Sequence, residues 1–206
     1  MLLGLPALVL RARAGVRLQL YPKRRRRKAS GNYPTLPKQI AYHEAGHCVA
    51  ARLLGVGVQE CFIGNRQHPT KKILRRGGTV YIRSENWAAT QAAMTEETAF
   101  QYMTNQIQVS AAGCLATDLL ANPNPTGCKV KGDDATQMLD AVKQWNAHMP
   151  HRQVNPDELL SNLTQETSKL LQENWDKVEY IANALLTKGT LGGSDIDQIL
   201  KEENAP

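Results

Sequence analysis

No run of eighteen or more apolar residues occurs in this chain of 206, which argues against a membrane-spanning helix and against chemistry inside a bilayer. No CxxC pair occurs either. Cys48, Cys61, Cys114 and Cys128 stand singly, so neither a zinc ribbon nor a thioredoxin-like site is indicated, and reduced thiols are expected. A disulfide-built secreted domain would be shorter and richer in cysteine; a reducing, cytoplasmic setting is the expectation. No phosphate loop of the form GxxxxGK[ST] is present, so no intrinsic ATP binding is expected. Aromatic residues are only 5% of the chain, which leaves Leu, Ile, Val, Ala and Met to build the core and favours helices.

Acidic residues are absent from residues 1–43, which hold ten Lys or Arg. The remainder has fifteen basic and nineteen acidic residues, so the formal charge of +6 belongs to a tail attached to a mildly acidic body. Residues 1–36 are read as that tail, and residues 37–206 as one domain, long enough for a real core. The acid-free tail fits an organelle-import presequence, except that Ser30 is its one serine. A secretory signal fits less well, because the charges follow the apolar start. A solvated, disordered arm is the plain alternative. Nucleic acid binding is not expected of the body, and would belong to the run Arg24 to Arg27.

Pro37 and Gly55 bracket a first helix, Lys38 to Leu54. VGVQECFI (56–63) and TVYIR (79–83) are short β-like runs. Ala99, Met103, Ile107, Ala111, Leu115 and Leu119 recur every four residues and mark a long buried helix from Thr95 to Leu120. NPNPTG (122–127) breaks the chain. A third helix is expected from Asp133 or Asp134 to Trp145, and a fourth, long one from Pro156 to just before Gly189. A short helix, Asp195 to Lys201, closes the chain. The fold class expected is mainly α with a small β-hairpin or sheet.

His43 and His47 are four residues apart in HEAGH, so on a helix both imidazoles project from one face and can bind the same metal ion. Zinc is the natural occupant: imidazole reaches it at roughly 2.0 to 2.1 Å, and catalytic sites use three protein ligands. Glu44, beside the first ligand, is placed to act as a general base. Chance occurrence on an ordinary amphipathic helix is the alternative, made weak by there being only five histidines. His68, His148 and His151 lie in polar loop contexts without partners at ligand spacing and are read as surface residues.

A third ligand must come from elsewhere, because no further His follows at metzincin spacing. In GDDATQMLDAVKQW, Asp134 shares a helical face with Met138 and Val142, while Asp133 shares one with Gln137 and Asp140. Asp134 therefore points inward. On pattern alone it is either a ligand or an acid placed to complement a helix N-terminus.

YHEAGHCVAARLLG resembles the zinc-site helix of the FtsH protease family. VSAAGCLATDLL resembles that family's GGRAAEEL helix, KGDDATQML its ASNDLQQAT segment, and ENWDKVEYIANALLTKGTLGGSDIDQIL its closing helix, Leu-x-Gly turn and short helix. The similarity runs from about Lys38 to Lys201. It implies an FtsH-peptidase-like helical bundle carrying an HExxH zinc helix, with His43, His47 and Asp134 as ligands and Glu44 as catalytic base. The family's paired glutamates fall on Thr117 and Asp118, so Asp118 alone could supply a carboxylate that orients a zinc ligand. Gly77, Gly78, Thr79 and Val80 fall in the region where the family holds substrate backbone, by strand addition; a plain structural hairpin is the alternative.

The expectation is therefore a zinc metalloendopeptidase acting on unfolded or flexible polypeptides, ATP-independent by itself. An ATPase would have to come from another chain. The resemblance implies homo-oligomers, though a monomer or dimer stays open without the ATPase portion. The alternative is a catalytically inactive zinc-binding pseudo-peptidase that serves as a protein-interaction adaptor.

Overall fold

Pro37 occupies the first turn of α1 (Leu36–Leu53), where its missing N–H would have had no helical partner anyway. The computed structural model describes residues 36–67, 74–82, 93–122, 130 and 132–202. Nearly the whole tail, His68, Arg83, Cys128 and most of the expected break at 122–127 lie outside the described residues.

α1 is apolar or small almost all round: Ala41, Ala45, Cys48, Val49, Ala50 and Ala51 have no exposed surface. Such a helix is stable only as the centre of a core. It packs against α2 (Glu96–Ala121), α5 (Trp175–Lys188) and the strands β1 (Val58–Gln67) and β2 (Leu74–Tyr81). The closest approach is to α2, because Gly46 has no side chain: a Cβ there would lie 2.5 Å from the Ala112 carbonyl oxygen and 2.6 Å from Ala116 Cβ.

α2 begins where the four-residue repeat begins. Its N-cap is Thr95, whose hydroxyl accepts from the Thr98 N–H, satisfying one of the orphan donors of the first turn. Met103, Ile107, Ala111, Leu115 and Leu119 are all buried. Next come α3 (Asp133–His148), a 3-10 turn at Pro150–Arg152 and α4 (Pro156–Glu173), capped by the Asn155 side chain. α6 (Gly193–Glu202) closes the described chain.

The three strands form one antiparallel sheet in the order β2-β1-β3, with β3 at Thr190–Gly192. Cys61 sits opposite Thr79 on one side and Leu191 on the other. Among the described residues six α-helices with a small sheet agree with a mainly helical class. Among the described residues no helix is long and apolar enough to cross a membrane.

The strands expected at 56–63 and 79–83 run Val58–Gln67 and Leu74–Tyr81, longer toward their connection, and two further elements differ from the sequence expectation. The single long helix after Pro156 is two helices, α4 and α5, broken at Asn174 (φ −124°, ψ 30°). There the Asn174 side chain donates to the Leu170 carbonyl, one of the local bonds by which Asn competes with helical geometry. Trp175 then packs its ring 5.7 Å from that of Tyr42 on α1. β3 was expected only as a turn; three residues are too few to show a period, and its strand character comes from pairing with β1.

Candidate metal centre

One turn of α1 separates His43 from His47, and both rings face α2 and α3. His47 Nδ1 donates to the Val109 carbonyl over 2.7 Å. That bond fixes the tautomer and leaves the Nε2 lone pair for another partner. His47 Nε2 lies 3.1 Å from His43 Nε2. Asp134, at the start of α3, completes the group: its Oδ2 is 3.3 Å from His43 Nε2 and its Oδ1 is 3.8 Å from His47 Nε2.

The approach of α2 to the two rings depends on Gly113. A Cβ at that position would lie 2.4 Å from His47 Nε2 and 2.8 Å from His43 Cε1, so any side chain would displace the imidazoles. Asp134 reaches the pair because Met138 and Val142 on the same face of α3 are buried, which turns that face toward α2. Asp133 is exposed.

Electrostatics follow from this crowding. Burial, reinforced by the neighbouring His43, holds His47 down to about 4, so it is neutral at physiological pH. Burial also opposes charge on His43, but the hydrogen bond to Asp134 and the nearby Glu44 carboxylate outweigh it and raise its pKa. For Asp134 burial acts upward, and the hydrogen bond to His43 with the charge of both imidazoles brings it below the ordinary value. A neutral imidazole beside an ionised carboxylate is the state that binds metal cations.

The geometry fits a four-coordinate transition metal. Donors about 2.05 Å from a tetrahedral ion lie about 3.3 Å from one another; here the two Nε2 atoms are 3.1 Å apart and His43 Nε2 is 3.3 Å from Asp134 Oδ2, while His47 Nε2 is 3.8 Å from the other oxygen, Oδ1. Nitrogen and oxygen donors in this combination suit zinc among other divalent ions. Cys114 is a further donor at the same place: its Sγ, one oxygen of Asp134 and one nitrogen of His43 lie within 4.8 Å of one another. The thiol donates to Asp134 Oδ2 over 3.7 Å.

Glu44 is only 7% exposed and lies against β2. The Thr79 hydroxyl is 3.1 Å from Glu44 Oε2, and a Cβ at Gly77 would lie 2.8 Å from Glu44 Oε1. Among the described residues β2 pairs with β1 on one side only, and a cleft of about 290 Å³ opens between it and α1. Leu36, Ile40, His43, Glu44, Arg76 and Thr117 are among its walls. Of the residues expected to bind substrate, Gly77 borders this cleft. Gly78 is buried with its Cα near the Phe62 ring, Thr79 turns to Glu44, and Val80 is 40% exposed. Asp118 is half-buried on α2; the cleft takes the neighbouring Thr117 from that helix.

His148 and His151 are exposed. His151, expected at the surface, pairs there with Glu96 over 2.5 Å. Val109, Gly113 and Cys114 are the site residues that the sequence did not single out, and Thr79 was singled out there only as a residue to hold substrate. The one signal available was a glycine within a long buried helix, which marks a close approach. No protein-family model matches the chain.

Proposed function

We propose that this chain is a zinc-dependent endopeptidase of FtsH-like type, cleaving unfolded or flexible polypeptides. The observation that carries the reading is the meeting of His43, His47 and Asp134 at separations of 3.1 to 3.8 Å, with the buried Glu44 beside them at a cleft. His43, His47 and Asp134 would hold the ion. Bound zinc supplies a Lewis acid that polarises a carbonyl and makes water a better nucleophile near neutral pH.

The remaining work falls to side chains of this chain. Glu44 takes the proton of the attacking water and delivers it to the departing amide nitrogen. Thr79 holds Oε2 of Glu44 and so orients the carboxylate. The one-sided edge of β2 offers backbone groups to an extended peptide, a contact that is tolerant of sequence. Polypeptide would have to reach the cleft unaided or be delivered by an ATPase on another chain.

The reading is tested by metal analysis together with cleavage of an unfolded, fluorescently labelled protein. One zinc per chain is expected in both wild type and Glu44→Gln, with chelator-sensitive cleavage only in wild type. Equal cleavage by Glu44→Gln sinks it. Zinc without cleavage in either protein would favour the second reading, a zinc-binding adaptor, to which the proximity of Cys114 to the ligands gives specific support.

A further inference from the structure

Cys114 occupies a place that the peptidase chemistry does not use. It lies on α2 directly after Gly113, the residue whose lack of a side chain admits both imidazoles. Its Sγ converges with a carboxylate oxygen of Asp134 and a ring nitrogen of His43 inside 4.8 Å. A sulfur about 2.3 Å and an oxygen about 2.0 Å from one tetrahedral ion lie about 3.5 Å apart. Here Sγ and Asp134 Oδ2 are 3.7 Å apart. The thiol therefore stands with the ligand atoms of His43 and Asp134, and His43 Nε2 in turn lies 3.1 Å from His47 Nε2.

The other described cysteines are placed differently. Cys48 and Cys61 are fully buried and face the Thr79 hydroxyl, at 4.0 and 3.5 Å, on the strand side of α1. Cys114 is half-buried.

We propose that Cys114 supplies a thiolate fourth ligand to the metal held by His43, His47 and Asp134. The inference rests on the metal site proposed above and adds its regulation. On coordination the thiol releases its proton to solvent and no electron changes hands. A site with four protein ligands is closed, whereas a catalytic one keeps a position for water. The thiolate-bound form is thus latent, and cleavage requires that the sulfur be displaced.

The test is X-ray absorption at the zinc edge on the full chain, with optical spectra of the cobalt-substituted protein. Wild type and Cys128→Ser are expected to show one sulfur neighbour at about 2.3 Å and a sulfur-to-cobalt charge-transfer band. Cys114→Ser, or Cys114→Ala should the serine variant fail to fold, loses both and cleaves several-fold faster. A shell of nitrogen and oxygen alone in wild type, or a sulfur that persists without Cys114, overturns the inference. Either result accompanied by chelator-sensitive cleavage leaves the peptidase reading standing. Failure of wild type to bind zinc or cobalt at all overturns both.

Discussion

The Thr79 hydroxyl donates to Glu44 Oε2 over 3.1 Å, tying edge strand β2 to the acid that α1 carries between its two histidines. The same hydroxyl lies 3.5 Å from Cys61 Sγ, so its position is set by the core and not by solvent. A hydrogen bond to a charged group contributes about 1.5 to 3 kcal/mol. Replacing Thr79 by Val should lower kcat by about tenfold or more with zinc content unchanged, and Thr79→Ser should restore most of it. Steady-state kinetics on a fluorogenic peptide, with metal analysis of each variant, would decide. An unchanged kcat for Thr79→Val would remove Thr79 from the positioning of Glu44.

Gly113 is required by geometry, since its Cβ would lie 2.4 Å from His47 Nε2. Gly113→Ala is expected to weaken zinc binding by about 10- to 100-fold, as loss of ligand support does. Competition with a coloured chelator measures this directly. Affinity equal to wild type would mean that the rings are not held where α2 meets them.

The two adjacent acids of α3 should behave differently. Asp134 lies 3.3 Å from His43 Nε2, whereas Asp133 is exposed. Asp134→Asn should lower zinc occupancy and cleavage together, and Asp133→Asn should alter neither beyond a small effect on the helix terminus. Equal losses in the two variants would show that the acids serve α3 and not the metal.

Acid should destabilise the metal-free protein through His47. Its pKa is held down to about 4 in the folded chain against about 6.5 when unfolded. Because the folded value is the lower one, this stability is whole above about pH 6.5 and is lost as the pH falls toward 4, where the unfolded chain takes up the proton first. The loss is of order 3 kcal/mol at most. His43, with its raised pKa, acts in the opposite sense, so the comparison is with His47→Gln. Urea midpoints in chelator near pH 7 and 4.5 should fall further in wild type than in the variant. Parallel loss in both would exclude His47 as the cause.

Much of the helical content was legible because helical periodicity is local. The repeat from Ala99 to Leu119 reports one buried face, and Pro37, Thr95 and Pro156 mark helix starts by filling or removing orphan backbone donors. The break at Asn174 was not legible. WDKVEYIANALL continues the helical composition of the preceding segment, and the chain turns there because of Asn174's bond to Leu170 and the contact of Trp175 with Tyr42. β3 was hidden for a related reason, since its hydrogen-bonding partners lie on β1, about 130 residues earlier.

The same division runs through the site. By itself the sequence determined that His43, Glu44 and His47 share one helix, with the two histidines on one face, and that Asp134 shares a face with Met138 and Val142, because each is a relation within one or two turns. Only the tertiary structure decided that Asp134 meets the histidines, that the Val109 carbonyl selects the His47 tautomer, that Gly113 makes room for both rings, and that Thr79 and Cys114 flank the chemistry. These groups come from α1, α2, α3 and β2, and they meet because burying the small-residue surfaces of α1 and α2 brings those helices into backbone contact. That is a packing outcome, and the spacing of residues along one chain does not encode it.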